Sequence, residues 1–263
     1  MKDTVTVAEI AGMIDHSLLS QTLTDKQLVD GCEVAKKSGC AAVCVKPYHT
    51  KLAAECVKGT AVRVCAVIGF PHGNSAIEVK AFETEQVIRD GAVEVDMVVN
   101  LGKVIQEDWD YILDELKTLV AITRRNKALL KVIFENDLLP DDKYKLRLCD
   151  LCNKAEVDFA KTSTGYNYIK AADGHFTYRG ATEPDLALMR RHCSPKVQVK
   201  AAGGIRTVRA FIRAMELGVT RIGISQTTQL LEEAKKLADS KGTIHLPLKG
   251  DGTPAATGGS AGY

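Results

Sequence analysis

The segment Asp158-Phe159-Ala160-Lys161-Thr162-Ser163-Thr164-Gly165-Tyr166 begins as a short apolar run and ends in hydroxyl side chains and a glycine. Such a run predicts a buried strand that leads into a polar loop. Lys161 stands where a buried strand would carry another apolar side chain, and a buried ammonium must be paired, hydrated or neutralised. A lysine that has lost its proton is a nucleophile. The segment therefore predicts a strand and a candidate reactive group.

The same alternation of a short apolar run and a longer helical run recurs along the chain, after a lead helix over about residues 7–13. The predicted strands are residues 14–19, 41–45, 63–68, 93–100, 129–134, the quoted segment, 197–200 and 221–224. The predicted helices are residues 25–38, 48–58, 75–90, 109–125, 141–154, 184–192, 207–217 and 227–240. Apolar strands that alternate with helices favour a parallel sheet covered by helices. Eight units favour a closed (β/α)8 TIM barrel over an open doubly wound sheet.

The length of 263 residues suits one such α/β domain. We predict a single barrel domain over residues 1–241, which includes the lead helix. Residues 242–263 are rich in Gly, Ala, Ser and Thr and end in Tyr263. This composition buries too little apolar surface for a core and predicts a flexible tail.

The bulk composition narrows the classes of partner. The 35 basic and 33 acidic residues leave a net charge of +2, which argues against a nucleic-acid or membrane surface. No signal peptide or membrane-spanning run is visible, so we expect a cytoplasmic protein whose eight cysteines are reduced. Cys149 and Cys152 have the Cys-x-x-Cys spacing of zinc ligands. We interpret them as packing residues because a zinc site would lack further ligands.

Polar residues at strand ends are the candidates for chemistry, because active sites of these barrels lie at the C-terminal ends of the strands. Four positions qualify, namely Asp96, Glu135, Lys161 and Lys200. Lys161 and Lys200 lie on consecutive strands, so an inward-facing pair would be close neighbours. Two ammonium groups in one low-dielectric pocket favour loss of one proton, which activates a Schiff-base lysine.

Two of the buried charges have a purely structural alternative. We predict that Lys131 pairs with Glu94 in the lower part of the barrel. Asp96 could form a simple salt bridge to Lys200, or it could keep that contact and also accept a hydroxyl proton. The spacing leaves both interpretations of Asp96 open.

The loops after the last two strands carry Gly203-Gly204 and Gly223-Ile224-Ser225. Phosphate sites in this fold commonly form there from backbone N–H groups and a helix N-terminus. Arg206 either adds charge to such a site or is a solvated residue at a helix start. The six histidines show no metal-binding spacing, and no Gly-x-Gly-x-x-Gly follows a strand, so we expect neither a metal nor a dinucleotide cofactor.

Several segments resemble signatures of the deoxyribose-phosphate aldolase family, and the resemblance covers about residues 14–225. The most specific are Phe159-Ala160-Lys161-Thr162-Ser163-Thr164-Gly165, Val199-Lys200-Ala201-Ala202-Gly203-Gly204-Ile205-Arg206-Thr207 and Val95-Asp96-Met97-Val98-Val99-Asn100. Further matches are Ile14-Asp15-His16-Ser17-Leu18-Leu19, Val43-Cys44-Val45-Lys46-Pro47, Val67-Ile68-Gly69-Phe70-Pro71-His72-Gly73 and Lys131-Val132-Ile133-Phe134-Glu135.

The resemblance implies a cofactor-free class I aldolase that cleaves 2-deoxy-D-ribose 5-phosphate to acetaldehyde and D-glyceraldehyde 3-phosphate. It implies Lys161 as the Schiff-base nucleophile, Lys200 as the group that lowers its pKa, and Asp96 as the partner of Lys200 in proton transfer. The implied substrate and phosphate contacts are Gly165, Gly203, Gly204, Gly223, Ser225 and Ser17. Position 17 is commonly threonine in the family, and serine keeps the hydroxyl.

The implied partners are a phosphorylated sugar and small aldehydes, and a homodimer or higher homo-oligomer is compatible with the sequence. The chain departs from the family pattern at Gln226-Thr227-Thr228, where small or hydroxyl residues often follow Ser225. Two alternatives stand beside this hypothesis. One is a class I aldolase that acts on another phosphorylated sugar, and the other is a non-catalytic barrel that binds a sugar phosphate.

Some family members also end in a flexible segment with a terminal tyrosine, so we hypothesise that Tyr263 folds over the pocket and assists proton transfer at C2 of the substrate. The alternative is a terminus with no role. Deleting Tyr263 is then expected to slow turnover and proton exchange at C2, which deuterium incorporation measures. Unchanged rates of both would refute the hypothesis.

Overall fold

The computed structural model describes residues 2–170 and 173–248. Its centre is a closed barrel of eight parallel strands in which β8 pairs with β1. The strands are β1 (Ile14–Leu18), β2 (Ala42–Val45), β3 (Arg63–Ile68), β4 (Glu94–Val98), β5 (Leu129–Ile133), β6 (Phe159–Lys161), β7 (Gln198–Ala202) and β8 (Arg221–Ile224). The predicted (β/α)8 barrel is therefore confirmed.

Helices follow the strands and cover the barrel. They are Val7–Ala11, Asp25–Ser38, Thr50–Val57, Ile77–Arg89, Leu101–Ile105, Trp109–Arg125, Asp142–Ala155, Glu183–His192, Val208–Glu216 and Thr227–Leu237. The helix Asp25–Ser38 shows why its bounds were predictable. Thr24 and Gln27 form a capping box at its start, and Gly39 ends it with a φ of +71°.

Several short elements were not predicted. The helix Leu101–Ile105 follows β4, and a hairpin of Ile169–Lys170 and Phe176–Thr177 lies within the predicted loop of residues 167–182. Thr4–Thr6 pairs antiparallel with Thr243–His245, which buries Val5 and Ile244. This last strand lies beyond residue 241, where the sequence placed the start of the tail, because three residues give too short a pattern to recognise.

Residues 249–263, including Tyr263, lie outside the described residues, so the flexible tail stays a prediction for them. Among the residues that are described, no helix is both long and apolar enough to cross a membrane.

The inside of the barrel is charged, whereas the layer between strands and helices is apolar. Along β4, Val95 and Met97 belong to the main apolar core, and the alternate residues Glu94 and Asp96 are fully buried among other charges. Side chains alternate across a strand, so one face of β4 packs on helices while the other faces the barrel interior. The strand pairing also places Lys161 and Lys200 side by side.

A second buried ion pair joins two helices outside the barrel. Lys80 Nζ lies 2.6 Å from Glu115 Oε1 and also donates to the carbonyl of Val98, and both charged side chains are fully buried. Burial lowers the pKa of Lys80 and raises that of Glu115, against the attraction between the two groups. The pair therefore fixes the helices Ile77–Arg89 and Trp109–Arg125 to the end of β4.

Replacing Lys80 by Ala leaves Glu115 buried without its cation. We expect the free energy of unfolding to fall by about 3–5 kcal/mol, measured by urea denaturation. The control is Lys26→Ala, which breaks the exposed Lys26–Asp30 pair and is expected to cost less than about 1 kcal/mol. Equal losses for the two variants would contradict this account.

Candidate active site

The three residues that the sequence ranked highest meet at one carboxylate. Lys161 Nζ and Lys200 Nζ each lie 2.7 Å from Asp96 Oδ2, and all three side chains are buried. Lys161 is the last residue of β6 and Lys200 is its register partner on β7, so both side chains enter the same end of the barrel. The structure thus brings the predicted pair of lysines onto a shared oxygen of Asp96.

Asp96 uses its other oxygen to hold a third lysine. Lys131 Nζ lies 2.9 Å from Asp96 Oδ1 and 2.6 Å from Glu94 Oε2. The predicted pairing of Lys131 with Glu94 is confirmed, while its contact with Asp96 was not predicted. Arg221 Nη1 lies 3.0 Å from Glu94 Oε2 and 2.6 Å from Asp15 Oδ1. These contacts complete a continuous buried network of ions.

The network fixes the charge of Lys200. Burial alone would lower the pKa of Lys200, but Asp15 and Asp96 outweigh it and raise that pKa above its ordinary range. Lys200 Nζ lies 2.5 Å from Asp15 Oδ2. For Asp96 the effects have the opposite signs: burial alone would raise its pKa, but the surrounding lysines hold that pKa well below its usual value. Lys200 is therefore an ammonium and Asp96 a carboxylate at neutral pH.

The buried network contains one more cation than it has carboxylates. Four cations (Lys131, Lys161, Lys200 and Arg221) share the three carboxylates of Asp15, Glu94 and Asp96. A further cation, Arg63, reaches Glu94 from a side chain that is 45% exposed to solvent. Within the described residues, Lys161 reaches a single carboxylate oxygen and shares it with Lys200. Of these four cations, Lys161 contacts the fewest carboxylates.

Two thiols lie beside Asp96. Cys65 donates to Asp96 Oδ1 at 3.0 Å and accepts from Lys131 at 3.1 Å, and Cys44 is its register partner on β2. Ligand atoms of Cys44, Cys65 and Asp96 lie within 4.8 Å of one another, as do those of Asp15, Cys65 and Glu94. Burial raises the pKa of Cys65 well above its ordinary value, so it stays a thiol. A metal ion would have to displace the ammonium groups already bound to these carboxylates.

A cavity of about 480 Å³ opens beside β7, β8 and β1. Its walls are His16, Ser17, Leu18, Ser20, Leu23, Tyr166, Gly203, Gly204, Ile205, Arg206, Gly223, Ile224, Ser225 and Gln226. Five of the six predicted substrate contacts therefore line one cavity. The sixth, Gly165, is not among the lining residues, although the adjacent Tyr166 is. The helix Thr227–Leu237 begins at this cavity, as the prediction of an anion site requires.

The sequence did not single out Asp15 or His16. Asp15 lies on the same face of β1 as Ser17, so alternation along that strand could have identified it. His16 Nδ1 lies 2.8 Å from Thr227 Oγ1, and burial lowers the pKa of His16 to about 4. A neutral imidazole therefore forms part of the cavity wall at neutral pH.

Glu135 was predicted as a candidate, and it lies at the loop after Lys161 instead of in the ion network. Its backbone has a φ of +55°, its carboxylate accepts from Thr164 N at 3.2 Å and from Asn167 Nδ2 at 2.7 Å, and burial raises its pKa. A non-glycine residue with such a φ is strained. Glu135 therefore shapes the wall that Tyr166 forms.

The ion network predicts how stability responds to acid. Asp15 and Asp96 have folded-state pKa values below the ordinary 3.8, so near pH 4 the unfolded chain binds protons that the folded chain does not. The free energy of unfolding is expected to fall as pH decreases below about 5. Replacing Asp15 by Asn removes one of these titrations. The slope of the free energy of unfolding against pH should then decrease by up to about 1.4 kcal/mol per pH unit. Urea denaturation over this pH range measures it, and identical slopes would contradict the assignment.

Comparison with known proteins agrees with this geometry. The sequence profile described as DeoC/LacD family aldolase matches residues 10–225. The deoxyribose-phosphate aldolase of Rhodopirellula baltica is 42% identical over 228 residues, which cover 87% of this chain and 90% of that protein. That of Geobacillus sp. (strain WCH70) is 44% identical over 223 residues, covering 85% and 95%.

Solved structures give the same result. A putative deoxyribose-phosphate aldolase from Coccidioides immitis superposes with a TM-score of 0.80 and 31% identity, covering 88% of each chain. The tetrameric deoxyribose phosphate aldolase from Aeropyrum pernix superposes with a TM-score of 0.78 and 29% identity, covering 89% of this chain and 94% of that one. The chain belongs to the DeoC/LacD aldolase family.

Proposed function

We propose that this chain is a deoxyribose-phosphate aldolase. It reversibly cleaves 2-deoxy-D-ribose 5-phosphate to D-glyceraldehyde 3-phosphate and acetaldehyde through a Schiff base on Lys161. The observation that carries the proposal is the single oxygen of Asp96 shared by Lys161 and Lys200, each at 2.7 Å. This arrangement supplies a nucleophilic amine, a permanent cation and a carboxylate at one buried point.

Lys161 is the better nucleophile of the two lysines. Lys200 contacts two carboxylates, which raise its pKa and keep it charged. Lys161 is three per cent exposed at its side chain and, within the described residues, contacts a single carboxylate oxygen that it shares with Lys200, so we assign the reacting amine to Lys161. The neutral amine of Lys161 adds to the C1 aldehyde of the substrate, and loss of water gives a protonated imine.

The protonated imine draws electrons from the C2–C3 bond. A base removes the proton of the C3 hydroxyl, the C3 oxygen becomes the carbonyl of glyceraldehyde 3-phosphate, and the electron pair of C2–C3 moves into an enamine on Lys161. Asp96 accepts this proton directly or through water, and the ammonium of Lys200 keeps the carboxylate ionised beforehand. Protonation of the enamine at C2 and hydrolysis then release acetaldehyde and restore Lys161.

The cavity accommodates the phosphate end of the substrate. Its glycine-rich loops after β7 and β8 and the start of the helix Thr227–Leu237 offer backbone N–H groups to an anion. We assign the phosphate to Gly203, Gly204, Gly223 and Ser225, and a sugar hydroxyl to Ser17. Gly165 acts from the preceding loop, where its φ of +86° turns the chain toward Tyr166.

The two alternatives differ in what they require. A non-catalytic sugar-phosphate-binding barrel has no use for a buried lysine network, whose desolvation costs several kcal/mol per ion. An aldolase for another phosphorylated sugar would use the same lysines, and the relative rates of cleavage of candidate sugars separate it from our proposal. The names of the relatives favour deoxyribose 5-phosphate.

We also propose an assembly state, a location and domain bounds. We propose a homo-oligomer, because the Aeropyrum pernix protein is described as tetrameric. We propose a cytoplasmic location, because the eight cysteines are free thiols. The catalytic domain is assigned to residues 1–241, extended by the strand Thr243–His245, and the remaining segment to a tail that ends in Tyr263.

Borohydride trapping tests the proposed mechanism. Reduction in the presence of acetaldehyde is expected to leave an ethyl group on Lys161, located by peptide mass mapping, and Lys161→Arg is expected to lose both the adduct and turnover. Lys200→Met should reduce kcat by about 10²–10⁴-fold, because proton transfer and charge balance are lost. Lys26→Met, at an exposed lysine, is the control and should behave as wild type. An adduct on another lysine during turnover would refute the assignment.

A further inference from the structure

A buried carboxylate outside the lysine network holds the loop that adjoins the phosphate cavity. Asp137 follows β5 in the short turn Asn136–Leu138, and its side chain is 1% exposed. Its Oδ2 accepts from the backbone N–H groups of Arg179 at 3.0 Å and Gly180 at 2.8 Å. Its Oδ1 accepts from Arg179 Nε at 3.2 Å. One carboxylate therefore fixes two consecutive peptide groups.

The turn that carries Asp137 is itself anchored to the barrel. Asn136 N donates to the carbonyl of Thr162 at 3.0 Å, immediately after Lys161 on β6. The side-chain Oγ1 of Thr162 accepts from Ala202 N, at the end of β7, at 3.1 Å. Asp137 thus stands at a fixed position relative to the strand ends that carry the two catalytic lysines.

Residues 178–181 connect Asp137 to the glycine loop after β7. Ala181 N donates to the carbonyl of Gly203 at 3.1 Å. A Cβ on Gly180 would lie 2.7 Å from the carbonyl carbon and oxygen of Gly203, and a Cβ on Gly203 would lie 1.6 Å from Tyr178 Oη. A Cβ on Gly204 would lie 3.0 Å from the carbonyl oxygen of Arg179. The two backbones are in direct contact.

This contact matters because Gly203 and Gly204 line the cavity, each with a φ of +81°. Glycine adopts positive and negative φ values with similar ease. Contacts with neighbouring residues therefore decide the direction of its N–H group. Anion binding by backbone N–H groups depends on that direction. Among the residues that the structure describes, Asp137 is not one that lines this cavity.

We propose that Asp137 is a positioning residue for phosphate recognition. It sets residues 178–181, which hold Gly203 and Gly204 in the conformation that binds the phosphate. The inference rests on the proposed function and adds a residue that determines preference for phosphorylated over unphosphorylated substrates. A structural role confined to stability would affect both substrates equally.

The test compares 2-deoxy-D-ribose 5-phosphate with unphosphorylated 2-deoxy-D-ribose. Asp137→Ala removes the acceptor of two backbone N–H groups, and we expect KM for the phosphorylated substrate to rise by about tenfold, the equivalent of about one hydrogen bond to a charged group. The value of kcat for that substrate, and kcat/KM for 2-deoxy-D-ribose, should stay within about twofold of wild type.

Two variants serve as matched controls. Asp137→Asn keeps one oxygen that can accept from both backbone N–H groups, so it should recover most of the loss. Arg179→Ala removes only the contact with Oδ1, from a side chain that is 59% exposed, and should have an effect below about twofold. Circular dichroism and urea denaturation of each variant show whether the barrel is intact.

Binding of inorganic phosphate separates this inference from the proposed function. The dissociation constant of phosphate, measured by calorimetry with the full chain, should rise by about tenfold in Asp137→Ala whether or not the wild type cleaves deoxyribose 5-phosphate. Unchanged phosphate binding in a folded Asp137→Ala variant overturns the inference. Equal losses of kcat/KM on both substrates overturn it as well, because they place the effect of Asp137 on the lysines.

Discussion

The structure depends on a carboxylate that is buried inside the barrel and shared by three lysines. Asp96 holds Lys161 and Lys200 on one oxygen and Lys131 on the other. Removing such charges from water is costly, and only close opposite charges and hydrogen bonds offset the cost. The surrounding strands therefore carry Asp15, Glu94 and Arg221 at positions where a barrel ordinarily packs branched apolar side chains.

The same network gives the two lysines on Oδ2 of Asp96 different surroundings. Lys200 has a second carboxylate, Asp15, whereas Lys161, in the part of the chain that the structure describes, has only its share of Asp96. Two carboxylates raise the pKa of Lys200 above its ordinary range, so Lys200 remains an ammonium. The buried ion network thus gives Lys161 and Lys200 different partners, and the glycine loops line the cavity beside it.

The sequence was most informative where one short segment fixed both local structure and chemistry. The capping box at Thr24 and the glycine at position 39 gave the helix Asp25–Ser38 its bounds, and the strand ends gave Asp96, Lys161 and Lys200. Hydrogen bonds between loops distant in the chain were not predicted. The interactions of Asp137 with Arg179 and Gly180, for example, join residues 42 and 43 positions apart.

The sequence by itself determined the alternation of strands and helices, and hence the barrel, because hydrophobic periodicity and caps are local properties. It also indicated which strand ends carry polar side chains, and the same motifs indicated the family. Only the tertiary structure decided how the charges divide among neighbours, that Lys200 has Asp15 as a second partner, and that Gly180 touches Gly203. The reason is physical: the energy of a buried charge depends on all groups within a few ångströms, and folding alone brings those groups together.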